Sequence, residues 1–181
     1  MPPKPRTTSP TPARQLSSFI AKFDPSVAKV LRACRAALRK RFPTAVELVY
    51  DNYNFFVIGY CSTPKASDCI VSLTGSSNGV GLCFTHGAKL PDPKGWLLGS
   101  GRQTRFIRLP SASVLKAPAV ETLLKVAIAR ARTPLPSSGN GATVIKSISA
   151  KQRPRRAAFA KASAPKAASA KASARKRAAR G

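Results

Sequence analysis

Catalysis needs a nucleophile, a base or a metal cage, and this chain offers little to build one: six Asp or Glu residues and one histidine among 181 residues. The histidine, His86, stands in CFTHGAK, three residues after Cys83 and six before Asp92. A thiol activated by an imidazole needs an acid to orient the ring. The spacing of Cys83, His86 and Asp92 follows no recognised arrangement, so His86 reads as a loop or edge histidine making one hydrogen bond. No catalytic residue is assigned. Glu47 and Asp51 cluster with Tyr50 and Tyr53 in ELVYDNYN. Two carboxylates four residues apart could share a proton or hold a cation, yet two ligands fall short of a calcium or iron cage. Gly99-Ser100-Gly101, followed by Arg102 and Arg105, is either a small anion-binding nest or, the better reading, a tight turn feeding a strand. It lacks the strand–loop–helix order of a phosphate loop. Should the domain bind a small molecule or a metal ion, the candidates are Tyr50, Asp51, Tyr53, His86, Asp92, Gly99, Gly101 and Arg105.

The four cysteines, Cys34, Cys61, Cys69 and Cys83, show neither C-x-x-C spacing nor the density of a disulfide-stapled secreted domain. With a single histidine, a four-ligand zinc site has no spacing to support it. The thiols are read as buried and reduced. No metal and no cofactor is expected.

These residues must be positioned by local elements. Asp24-Pro25 opens a helix, Asp24 as a cap and Pro25 in the first turn, and a shorter helix begins near Gln15. Val27, Val30, Leu31, Cys34 and Leu38 recur at three- and four-residue steps and form one apolar face. Arg32, Arg35 and Arg39 form the opposite, basic face, and Phe42-Pro43 ends the helix. AVELVY (45–50), FFVIGYC (55–61), CIVSL (69–73), GLCFT (81–85) and TRFIRL (104–109) read as strands. The connections among the first four are too short for crossover helices, so antiparallel neighbours are expected. Arg105 and Arg108, three apart in the last strand, point to opposite faces. Pro118 opens a final helix with Val120, Leu123, Leu124, Ala127, Ile128 and Ala131 on one stripe. The expected fold is α+β: an antiparallel sheet of about five strands with flanking N- and C-terminal helices over residues 15–132.

Two stretches, ELVYDNYNFFVIGYCSTPKASDCIVSL and LCFTHGAKLPDPKGWLLGSGRQTRFIRL, resemble the bacterial YdhG-like domain family, whose members are largely of unknown function. The most specific piece is Gly87-Ala88-x-Leu90-x-Asp92-Pro93, then Gly99-Ser100-Gly101 and Arg105, and the likeness runs from about Leu16 to about Ala131. The resemblance implies an antiparallel sheet with flanking helices and transfers no catalytic residue. Some members of the family are linked to frataxin-like iron handling, a chemistry that wants more carboxylates than this chain carries. The family often has histidine where this sequence has Phe106.

The net charge of +26 is distributed unevenly. Residues 1–14 are rich in Pro, Ser and Thr, bury no core and are expected to be disordered. Thr133 to Gly181 holds twelve Lys and Arg and no acid. Within it a base returns at every fifth position from Lys151 to Lys176, so on a helix the bases would spiral round the axis and form no single face. That suits a flexible polycation, compositionally like the tails of linker histones and of Lys/Ala-rich bacterial nucleoid proteins. Lys151, Arg153, Arg155, Arg156, Lys161, Lys166, Lys171, Arg175, Lys176, Arg177 and Arg180 are the candidate nucleic-acid contacts. They would bind phosphates through counterion release, without base specificity. The stretch 133–181 is accordingly expected to be a disordered basic tail. The N-terminus has no secretory signal, and no apolar run reaches the roughly eighteen residues a membrane helix needs. The expectation is a cytoplasmic, non-enzymatic protein with non-specific nucleic-acid binding and no membrane partner. The alternative is a small-molecule or iron-handling domain with an idle tail.

Overall fold

A computed structural model describes residues 10–156. Helix α1 (Pro12–Ala21) begins before the expected boundary at residue 15. Pro12 fits the first turn, where its missing N–H is no loss, and the Thr11 hydroxyl accepts from the Arg14 amide at 3.4 Å. Helix α2 (Pro25–Arg41) follows, with Asp24 at the N-cap position and Phe42 at the C-cap. It buries Leu31, Cys34 and Leu38, as its spacing predicts, together with Ala28, while Val27 and Val30 of the expected face are only partly buried.

Strands β1 (Val46–Asp51), β2 (Phe56–Cys61), β3 (Cys69–Ser76), β4 (Gly79–Phe84) and β5 (Arg105–Arg108) form an antiparallel meander in chain order. Helix α3 (Pro118–Ala129) packs Val120, Leu123 and Leu124 into the core. The α+β fold and the flanking helices match the sequence reading, as do these five strands to within a few residues.

A sixth strand does not match. β6 (Thr143–Ile148) lies inside the segment expected to be a disordered tail and pairs parallel with β1, giving the sheet order β5-β4-β3-β2-β1-β6. The sheet is therefore mixed, and the tail boundary at Thr133 is corrected: residues 133–156 dock on the body. Ser62 Oγ donates to the Thr133 carbonyl at 2.6 Å, and the Gly141 amide donates to the Pro43 carbonyl at 2.9 Å. Gly141 is required at this approach, because a Cβ there would sit 1.7 Å from the Ala45 carbonyl oxygen. The Glu47 amide then donates to the Ala142 carbonyl, which starts the parallel ladder.

The two faces of the sheet differ. A Cβ on Gly75 would meet Leu31 and Phe23, so its face is the one the helices cover. Register carries that face across to Phe56 and Asp51, and alternation adds Glu47, Val49, Ile58, Tyr60, Leu73, Leu82 and Ile107. Tyr50, Val57, Thr74, Cys83 and Phe106 alternate onto the opposite face and stay partly exposed.

Candidate functional site

Glu47 and Asp51 share the helix-covered face, since four residues along a strand return to the same side. Both are fully buried, and each has cations against it. Glu47 takes Arg35 by both oxygens, Nε at 2.9 Å and Nη2 at 2.7 Å, with Arg39 at 3.3 Å and the Thr143 hydroxyl donating at 2.7 Å. Its hydrogen bond raises the Arg35 pKa further, against the opposing effect of burial. Arg35 and Arg39, expected on a free basic face, are engaged inward, and Arg32 alone of the three is exposed.

Asp51 is held by Lys22 at 2.5 Å and Arg155 at 3.0 Å. Arg155 also donates to the carbonyls of Asn54, at 2.9 Å, and Asn52, and its guanidinium lies over the Phe23 ring. Gln152 Nε2 reaches the Asp51 carbonyl, and the Arg153 amide donates to the Tyr53 carbonyl. These contacts correct one tail assignment. Arg155 is 5% exposed and closes a buried ion pair, so it cannot meet a phosphate. Lys151, Arg153 and Arg156 are exposed, with Arg153 over the Tyr53 ring. Lys161, Lys166, Lys171, Arg175, Lys176, Arg177 and Arg180 lie outside the described residues.

The eight pocket candidates do not converge. Tyr50 faces away from Asp51, and Tyr53 is on the surface. Burial raises the Tyr50 pKa, with charge at Cys61 and Cys69 adding to it. Asp92 receives the amides of Trp96 at 2.9 Å and Leu97 at 2.7 Å, a turn role. Gly99 has φ +100° and rests on Phe106, whose backbone bridges to Leu98. Arg105 donates to the Gly101 and Thr104 carbonyls, closing the loop on itself. Gly87 is pressed so closely onto Arg105 that a Cβ would lie 2.6 Å from that residue's Cβ and 2.8 Å from its amide nitrogen. The Ala88 amide donates to the Gln103 carbonyl at 2.8 Å. The glycine-rich motif thus folds the 87–104 loop over the end of β4 and β5, and the nest reading of Gly99–Gly101 gives way to the turn reading. A single pocket built from these eight residues is corrected accordingly.

His86 alone of the eight borders a cavity of about 440 Å³ between the start of β3, the 86–90 turn and the end of α3. Lys89, Arg130 and Arg132 surround it and are exposed, while Phe84, Ile70 and Leu90 form its apolar part. Arg130 Nη1 donates to the Lys89 carbonyl, tying α3 to the turn. Asp68 on the same rim is held below the usual carboxylate range, chiefly by a hydrogen bond from the Thr63 hydroxyl at 2.6 Å. Periodicity marks Arg130 and Arg132 only as the end of a helix; a basic rim needs the turn at Lys89 brought across to them. Among the described residues no group of three or more His, Cys, Asp and Glu is placed to hold a metal ion, and no helix is long and apolar enough to cross a membrane. Comparison with protein-family models, with curated proteins and with solved structures finds no match to this chain.

Proposed function

We propose that this chain is a non-enzymatic, YdhG-like α+β domain that binds nucleic acid through its phosphate backbone, without base specificity, from a cytoplasmic, nucleoid-associated position. The observation that carries the reading is the separation of charge. Glu47, Asp51, Asp68, Asp92 and Glu121 all hold partners within the body. These acids are therefore taken up within the body of a chain whose net charge is +26, and after Glu121 it contains no further acid. Polyphosphate is the complementary partner, because displaced counterions supply binding free energy wherever lysines and arginines meet it. The exposed rim of Lys89, Arg130 and Arg132 extends the positive surface beyond the C-terminal segment.

Removing residues 133–181 would strip β6 and Arg155 and unfold part of the body, so the informative truncation ends at Arg156. It removes seven bases, Lys161 to Arg180. Full-length protein should retard duplex DNA with a log–log salt slope of roughly −5, if about half the C-terminal bases meet phosphates. Truncation should shallow that slope by about 3 while Trp96 fluorescence still reports a folded body. Equal slopes for the two proteins would overturn the proposal.

A further inference from the structure

β2 and β3 slip register at one point. Tyr60 opposes Val71 while Cys61 opposes Cys69, leaving Ile70 as the extra residue of a bulge. Directly opposed residues of an antiparallel pair lie about 4.5–5.5 Å apart at Cα, within the span a disulfide bridges. The two side chains also converge. A Cβ on Gly59 would lie 3.1 Å from Cys69 Sγ and 3.4 Å from Cys61 Sγ, so both sulfurs border the same small space, kept open by a residue with no side chain. Both thiols are free.

They are not equivalent. Cys61 is 1% exposed, whereas Cys69 is partly exposed and borders the cavity rimmed by Lys89, Arg130 and Arg132. The Cys61 thiol beside it holds the Cys69 thiol below its ordinary range against the opposing effect of burial, and Cys69 Sγ donates to the Val71 carbonyl at 3.3 Å; the same neighbour, together with burial, pushes Cys61 up. Partial access beside a neighbouring thiol is what sets Cys69 apart. The other two thiols lack this setting. Cys34 is fully buried in α2, and Cys83 lies a strand further along, opposite Ser72, with burial raising its pKa.

We propose that Cys61 and Cys69 are a reversible dithiol–disulfide site oxidised by small hydroperoxides, with Cys69 as the attacking thiol and Cys61 as the resolving one. Cys69 sulfur attacks one peroxide oxygen; the O–O bond breaks, the sulfur becomes a sulfenic acid, and the departing oxygen takes the thiol proton and leaves as water from hydrogen peroxide or as the alcohol from an alkyl hydroperoxide. Cys61 sulfur then attacks the Cys69 sulfur. The S–S bond forms, the S–O bond breaks, and the hydroxyl leaves as water with the Cys61 proton. Two thiols and one hydrogen peroxide thus give one disulfide and two waters. Two equivalents of a small thiol reverse the step by exchange.

The test treats reduced full-length protein with a small excess of hydrogen peroxide and titrates thiols after denaturation. The expected titre falls twofold, from four cysteines to two, with a mass loss of about 2 Da that dithiothreitol restores. Proteolysis at Lys65 separates the two cysteines, so the bridge appears as a linked peptide pair whose fragmentation places it at Cys61 and Cys69. Cys61→Ala should leave a Cys69 sulfenic acid trapped by dimedone and no intramolecular bridge. Cys34→Ala with Cys83→Ala should bridge like the parent. An unchanged titre in the parent protein, a Cys69–Cys83 bridge or only intermolecular disulfides would overturn the proposal, and the parent experiment decides it even if a variant fails to fold.

Discussion

Replacing Arg155 by alanine tests whether the segment after β6 belongs to the folded body. The Arg155 and Asp51 side chains are 3% and 1% exposed, and the guanidinium bonds Asp51 Oδ1 at 3.0 Å and the Asn54 carbonyl at 2.9 Å. Removing one member of a buried pair costs about 3–5 kcal/mol, because the other is left charged and undersolvated. Here Lys22 remains 2.5 Å from Asp51 Oδ2 but is itself 39% exposed, so compensation is partial and the expected loss is about 2–4 kcal/mol. For a chain of this length that corresponds to a Tm lower by roughly 5–15 °C. Urea melts followed by Trp96 fluorescence measure it directly, since Trp96 is the one tryptophan and packs against the core. Arg156→Ala, one residue on and exposed, should change stability by less than about 0.5 kcal/mol. Lys22→Ala added to Arg155→Ala should cost more than the separate effects combined, because each cation partly compensates for loss of the other. An Arg155→Ala melt within about 0.5 kcal/mol of the parent would refute the reasoning and return this stretch to a solvated tail.

Two further outcomes follow from particular contacts. Gly141→Ala cannot keep its 1.7 Å approach to the Ala45 carbonyl, so β6 should detach from β1; hydrogen exchange at Thr143–Ile148 should lose protection, and retained protection would contradict the docked strand. Burial pushes the Cys34 thiol from 9.0 up to about 11, so the folded chain keeps a proton that the unfolded chain releases above about pH 9. That contribution is complete below pH 9 and is lost as pH rises toward 11, so the stability gap between parent and Cys34→Ala should narrow by up to roughly 2–3 kcal/mol over that interval. Parallel pH profiles of the two proteins would show the thiol is not so held.

The meander was legible because each of its strands is a short apolar or β-branched run closed by turn residues, and because neighbours in sequence are neighbours in the sheet. Helix α2 was legible from the spacing of Leu31, Cys34 and Leu38. β6 was not. TVIKSI is a weak strand pattern set among Pro, Ser, Gly and Lys, and its partner β1 lies nearly a hundred residues earlier. Arg155 was hidden for a related reason: its composition is that of its basic neighbours, and its role depends on a carboxylate that only the fold brings within reach. The eight-residue pocket failed through alternation, since Tyr50 and Asp51 are adjacent in sequence and opposite in the sheet. The Cys61–Cys69 apposition required the exact register of one bulge.

Local patterning by itself determined the helices, the antiparallel strands and the imbalance of charge, since period, turn chemistry and composition act over a few residues. The tertiary structure decided which charges are free. Whether an arginine meets solvent, a phosphate or a buried carboxylate depends on distances of a few ångströms between segments far apart in the chain, and in a low-dielectric interior those distances outweigh composition.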